Sequence, residues 1–317
     1  MKAVLHFNAG PGLRSRIAAL SLPDLRVVIV AETDRSGFTE EIKDADVLLH
    51  VLEPINAAMI AGAPRLKLIQ KIGIGVNTID RVAAAARGIM VANMPGTNTQ
   101  AVAEHTLALI LAVLRRLTLL DRQTRLGQGW AMAPDDLERT GEIAGRTVGF
   151  VGFGSVPQRL APVLSALGAK IIFARRSAEP SALGERRDLA ALLAEADIVS
   201  LHVPLTEQTR GLIGAPEFAR MKKGAILINT ARGDIVDEDA LLTALQRGDL
   251  GGAGLDVLRR EPASADTPVF AIKSLVVSPH VAWLTPETLE RSLAVAFENC
   301  RRLGAGEALM HVVPPPD

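Results

Sequence analysis

Short β-branched or aliphatic runs alternate with longer amphipathic or Ala/Leu-rich stretches along this chain, and that alternation narrows the folds open to it. Strand, helix and next strand bury their apolar faces together when the strands run parallel and the helix crosses over the sheet, so the pattern reads as βαβ units in an α/β protein. In the first third the strand candidates are 3–7, 26–30, 47–51, 68–72 and 89–91, enough for one small sheet. A long helix is expected over 99–126, where Asn98 offers a cap ahead of strong helix formers. Six further strand candidates, 147–151, 170–174, 198–202, 225–229, 252–257 and 275–278, suit a doubly wound sheet. The segment 286–303 reads as a lone helix that returns to the first domain, and the prolines at 314–316 read as a frayed tail. At 317 residues the chain exceeds what one core usually serves. The expected division is a discontinuous substrate domain, 1–97 plus 285–317, and a nucleotide-binding domain, 98–284.

Composition removes several function classes. Lys plus Arg is 35 and Asp plus Glu is 35, a balance that leaves no long-range field to draw in nucleic acid or an anionic membrane. Aromatic content is 3% with no Tyr, so the cores are aliphatic and stacking platforms for single-stranded nucleic acid are not expected. The one cysteine, Cys300, has no Cys partner for a disulfide or a thiolate metal site, which fits a reducing compartment. The first residues lack a secretory pattern, and no run reaches the ~18 to 20 apolar residues that span a bilayer. A cytoplasmic protein with no metal, nucleic-acid or membrane partner is expected.

The most specific local signal is a strand, 147–151, running into Gly152-Phe153-Gly154 and then a helical stretch through Ser155, Val156 and beyond. Glycines at these positions let the backbone turn tightly and approach a pyrophosphate, which the free N–H groups of the helix start favour. Pro157 stands where the third glycine of the usual fingerprint falls. In a first helical turn a proline gives up only an N–H that would be unpaired, so binding is expected to survive. The next strand ends in Arg175-Arg176-Ser177 instead of the carboxylate that bonds a ribose 2′-hydroxyl. A guanidinium there grips a 2′-phosphate, so NADPH is expected in preference to NADH.

Three late segments each follow a strand: 229–233 with Arg232, 254–262 with Asp256 and Glu261, and 278–280 with His280. Ligands of a doubly wound sheet lie outside the carboxyl ends of its strands, so these residues are expected to converge. The blocks 221–233, 252–262 and 278–283, with the stretch 67–89, resemble the D-2-hydroxyacid dehydrogenase family almost continuously from Ala92 to His280. The resemblance implies two doubly wound domains, a Rossmann dinucleotide-binding domain and a smaller flavodoxin-like substrate domain. It implies hydride transfer between the cofactor and a small 2-oxo or 2-hydroxy acid. His280 is the implied proton donor, Glu261 the carboxylate that orients it, and Arg232 the grip on the substrate carboxylate, roles that agree with what carbonyl reduction requires.

By the same resemblance, Thr230, Val203, Pro204 and Asp256 contact the cofactor, although an Asp capping a loop is a competing account of Asp256. The glycine-rich loop 72–77 presents backbone donors at Ile74 and Gly75 to an anionic substrate, and Leu52 and Trp283 shape the pocket. Hinges are expected near 95–98 and 282–286, and the segment 115–145 resembles a dimerisation arm, so a homodimer is expected. Glyoxylate and hydroxypyruvate are the leading substrates. The rival readings are a phosphoglycerate-type dehydrogenase and a non-catalytic nucleotide sensor on the same fold, and the complete Arg232, Glu261 and His280 set weighs against the sensor.

Overall fold

The computed structural model describes residues 1–20 and 22–316; Ser21 and Asp317, both within the segments assigned above to the substrate domain, lie outside the described residues. The chain divides into two units, Met1–Asn98 together with the chain from Leu284 onward, and Thr99–Trp283.

The first unit holds five strands, β1 (Lys2–His6), β2 (Arg26–Val30), β3 (Val47–His50), β4 (Leu68–Lys71) and β5 (Met90–Ala92). All pair in parallel, in the order β2-β1-β3-β4-β5. This is the flavodoxin-like order. Every residue of β3 and β4 is buried, which is why they read as unbroken runs without polar alternation: helices cover both faces of the sheet. The helix Pro286–Ala305 belongs to this unit and is pinned by Asn299. The buried Asn299 amide donates to Gln70 Oε1 at 2.6 Å and to the Met310 carbonyl at 3.1 Å, and its oxygen accepts from Met310 N–H at 2.8 Å. Two amides that would each be costly to bury alone therefore satisfy one another. The start of the tail expected to fray is tied down, with Val313 N–H donating to the Val91 carbonyl at 2.8 Å and the Arg81 guanidinium bonding the Pro314 carbonyl.

The second unit carries β6 (Thr147–Val151), β7 (Lys170–Ala174), β8 (Glu185–Arg186), β9 (Ile198–Leu201), β10 (Ala225–Asn229), β11 (Leu250–Leu255) and β12 (Leu275–Val277). The order is β12-β11-β10-β9-β6-β7-β8, the doubly wound Rossmann arrangement with one strand more than expected. The extra strand, β8, has two residues and leaves no periodic trace in the sequence. The helix expected over 99–126 is broken into Thr99–Leu114 and Leu117–Arg125. Arg116 takes a left-handed backbone, φ 50°, and its guanidinium lies 3.2 Å from Asp136. No Gly or Pro marks the break; the residue that makes it is bonded to a side chain twenty residues away. Among the described residues no helix is long and apolar enough to cross a membrane.

His50, at the end of β3, is buried and donates from Nε2 to the Glu53 carbonyl at 3.0 Å. Burial, reinforced by the Lys71 ammonium, holds its imidazole well below the ordinary value. In the unfolded chain the same ring takes up a proton below about pH 6.5. The unfolded state then binds more protons than the folded one, so His50 costs the fold stability as pH falls through that value. Replacing it by Gln retains an amide donor and removes the titration. The fall in stability between about pH 7.5 and 5.5 is expected to be shallower in His50→Gln by up to ~1.4 kcal/mol per pH unit, read from denaturant unfolding at each pH. An unaltered pH slope would show that His50 takes up its proton in the folded state as readily as in the unfolded chain.

Candidate cofactor and active site

The strand order of the larger sheet reverses at β6, which has β7 on one side and β9 on the other. A crevice opens at such a switch point. Gly152 follows β6 with φ 90°, and a Cβ on it would stand 2.7 Å from the His202 carbonyl oxygen and 3.0 Å from Val203 Cγ1. Only glycine lets the ends of β6 and β9 come this close. Gly154 precedes the helix Ser155–Ala166 in extended backbone with no side-chain cap, and a Cβ there would meet nothing within 4 Å. The N–H groups of Ser155 and Val156 therefore open that helix beside free space, an arrangement suited to a pyrophosphate. Pro157 is buried in the first turn and costs no intrahelical bond there.

Alongside lies a groove of about 580 Å³ lined by Val151, Ala174, Val203, Pro204, Leu212 and the arginines that follow β7. Apolar walls with a charged rim fit an adenosine moiety. Arg175 is half-buried with its guanidinium 5.4 Å from the Phe173 ring centroid, whereas Arg176 and Ser177 are exposed. The residues present fit a nicotinamide dinucleotide.

At the carboxyl ends of β10, β11 and β12 three loops interlock. Asn229, buried at the end of β10, accepts from Ala231 N–H at 3.0 Å and donates to the Arg232 carbonyl at 2.9 Å, closing the turn that presents Arg232. Thr230 Oγ1 lies 3.0 Å from Thr106 Oγ1, whose own proton goes to the Val102 carbonyl, so Thr230 is the donor of that pair. Gly233 packs directly on the next loop, since a Cβ on it would fall 2.1 Å from the Leu258 carbonyl. That loop carries Glu261, whose Oε1 accepts from Leu258 N–H at 2.8 Å and whose Oε2 stands 2.6 Å from His280 Nδ1. Burial pushes the Arg232 guanidinium down from its usual value, and the nearby Glu261 charge pulls it back up.

His280 itself has φ 55°, a left-handed backbone that costs a non-glycine residue about 1–2 kcal/mol. What holds it there is Asp256. The buried Asp256 carboxylate accepts from Ser278 Oγ at 2.6 Å and from the N–H groups of Val281 and Ala282, both at 2.9 Å, while its carbonyl accepts from His280 N–H at 2.7 Å. Because the Ser278 hydroxyl proton goes to Asp256, His105 Nε2 at 2.8 Å is the donor to Ser278. The Trp283 indole closes the turn by donating to the His280 carbonyl at 3.1 Å. Both oxygens of Asp256 are thus engaged by the loop. His105, Ser278 and Asn229 were not singled out from the sequence; His105 meets its partner across 173 residues, a pairing without a local signal.

In the first unit, Ile74 and Gly75 lie in the loop after β4. Gly73 has φ 137°, its carbonyl accepts from Met94 N–H at 2.9 Å, and the Ile74 carbonyl accepts from the Asn93 amide at 3.0 Å. The Ile74 side chain is exposed.

The chain is similar to known proteins over most of its length. Residues 107–282 match the family model described as D-isomer specific 2-hydroxyacid dehydrogenase, NAD binding domain. The chain is 39% identical over 291 residues to a glyoxylate reductase of Korarchaeum cryptofilum, covering 90% of this chain and 86% of that protein. It is 38% identical over 299 residues to a D-3-phosphoglycerate dehydrogenase of Mycobacterium leprae, covering 93% of this chain but 56% of that protein. The crystal structure of the TT0316 protein from Thermus thermophilus superposes with a TM-score of 0.89 at 34% identity, covering 99% of this chain and 100% of that one.

The Asp256 contacts generate a direct test. Asp256→Asn replaces one acceptor oxygen by an NH2 group facing a backbone donor, so it is expected to cost about 1–3 kcal/mol of stability. It is also expected to shift the His280 ring resonances in an NMR spectrum of histidine-labelled protein. Unchanged resonances would mean that Asp256 does not position His280.

Proposed function

Since the chain belongs to the D-isomer specific 2-hydroxyacid dehydrogenase family, we propose that it reduces small 2-oxo acids, glyoxylate and hydroxypyruvate foremost, to the D-2-hydroxy acid with NADPH in preference to NADH. The observation that carries this is the Glu261–His280 pair at 2.6 Å, with Arg232 on the loop that packs against Leu258.

When bound, the reduced nicotinamide supplies the hydride. The carbonyl oxygen then gains negative charge and needs a proton from a group within hydrogen-bond reach. With Nδ1 engaged by Glu261, His280 has Nε2 to donate, and the carboxylate fixes the ring and its orientation. Arg232 holds the substrate carboxylate through its planar fork, and its partial burial strengthens that grip. Ile74 and Gly75 are proposed as further substrate contacts through backbone N–H groups; the uncharged Ile74 side chain adds no cationic grip. Gly152, Gly154, Ser155 and Val156 are assigned to the pyrophosphate, and Thr230, Val203 and Pro204 to the nicotinamide half. With both its oxygens occupied by the 278–282 loop, Asp256 is assigned as a positioning residue. The preference for NADPH is supported by Arg175, Arg176 and Ser177 after β7, where no carboxylate stands to meet a 2′-hydroxyl.

A homodimer formed through the 115–145 segment is part of the proposal. It is supported by Trp130, 88% exposed, and by Leu117 and Leu126, both about 60% exposed, on that one segment. Large apolar side chains this exposed on one segment are what contact with a second copy would cover.

Oxidation of NADPH followed at 340 nm is expected with glyoxylate and hydroxypyruvate, with weaker turnover of pyruvate, phenylpyruvate and phosphohydroxypyruvate. His280→Ala is expected to lower kcat/KM by ~10²–10⁴-fold while leaving NADPH binding intact. Cofactor binding without turnover of any 2-oxo acid would move the chain to a nucleotide-sensing role.

A further inference from the structure

Four guanidinium groups, from Arg175, Arg176, Arg186 and Arg187, line the groove beside β7. Their charges are not equally available. Arg187 is engaged by carboxylates, with Nε 2.8 Å from Glu195 and Nη2 2.6 Å from Glu185. Arg175 is folded back over Phe173, bonds the Glu179 carbonyl, and lies 3.6 Å from the Glu179 carboxylate. Arg176 and Arg186 are exposed and, among the described residues, neither makes an ion pair within 4.0 Å. The bond that Arg186 does make is to a neutral acceptor, from Nη2 to the Arg175 carbonyl at 3.3 Å, so its charge is positioned without being neutralised.

That bond also fixes where the charge stands. Parallel pairing sets Phe173 opposite Arg186, and Arg187 N–H donates to the Phe173 carbonyl at 2.9 Å, so the edge strand β8 runs beside the last residues of β7. The carboxyl end of this second Rossmann strand is where the adenosine ribose of a dinucleotide presents its 2′ substituent. Arg186 reaches the backbone of that same strand end from the neighbouring strand.

We infer that Arg186 and Arg176 are the residues that recognise the 2′-phosphate of NADPH, approaching it from β8 and from the β7 end respectively, whereas Arg175 is a positioning residue held by Phe173 and Glu179. The inference deepens the NADPH reading given above and rests on it. A phosphate dianion accepts several charge-assisted hydrogen bonds at once, and two guanidinium forks without a carboxylate partner, one on β8 and one in the loop after β7, satisfy more of its oxygens than one.

The test uses 2′,5′-ADP and 5′-AMP as probes, titrated calorimetrically into the whole protein, so it needs no turnover. The unaltered protein is expected to bind 2′,5′-ADP at least about tenfold more tightly than 5′-AMP. Arg186→Gln is expected to lose about tenfold in affinity for 2′,5′-ADP, with a shallower salt dependence, while 5′-AMP binds as before. Retained 5′-AMP binding certifies an intact groove. Arg186→Lys, which keeps the charge and loses the fork, is expected to fall between the two. If the unaltered protein does not distinguish the probes, the NADPH reading itself fails and the inference with it. If it does, and Arg186→Gln and Arg186→Lys both retain the full preference, the inference about Arg186 is overturned and the NADPH reading stands.

Discussion

Parallel strand pairing is the constraint on which everything else in this molecule depends. A parallel strand cannot be joined to its neighbour by a tight turn, so each connection crosses over a face and each strand delivers its carboxyl end to the same edge of the sheet. In the larger unit that edge collects the ends of β6, β7, β9, β10, β11 and β12, and with them Gly152, Arg175, Val203, Arg232, Asp256 and His280. Residues far apart in the chain become neighbours because of the topology. The reversal of strand order at β6 then opens the crevice, beside which Gly152 lets the ends of β6 and β9 approach closely.

The reactive loops are held by buried polar groups, not by apolar packing alone. Asp256 is 1% exposed and fully engaged, and the chain from His105 through Ser278 to Asp256 and on to the Val281 and Ala282 amides fixes the turn that carries His280. A left-handed backbone at a non-glycine residue persists only where its surroundings over-determine it, and these bonds do so. Neighbouring loops are coupled as well, since Gly233 leaves no room for a side chain against Leu258, whose N–H holds Glu261. His280, Glu261 and Arg232, the residues proposed as proton donor, orienting carboxylate and substrate grip, are thereby held on loops coupled by backbone contacts, the condition under which a catalytic constellation keeps its geometry.

Much of the fold was legible in the residues because its signals are local. Each expected strand appears within a few residues of its place, and the Gly-x-Gly turn sits between a strand and a helix as its spacing requires. The departures have a common origin. The break at Arg116 goes with a contact to Asp136, the anchored start of the tail with bonds to Val91 and Arg81, and β8 with pairing along the edge of β7. None of these has periodicity, a turn residue or a cap to announce it, since each arises where two distant segments meet.

The sequence by itself determined the fold class, the order of the elements, the Gly-x-Gly turn between strand and helix, and the residue types from which the proposed hydride-transfer site is assembled. Those properties follow from hydrophobic period, turn chemistry and the reactivity of individual side chains, all carried within a few residues of one another. Only the tertiary structure decided that Asp256 commits both its oxygens to the His280 turn, that His105 supports it through Ser278, and that of four arginines around one groove two are neutralised and two are not. The availability of a charge or a lone pair depends on which partners reach it, and those partners are chosen by packing between segments that are remote in the chain.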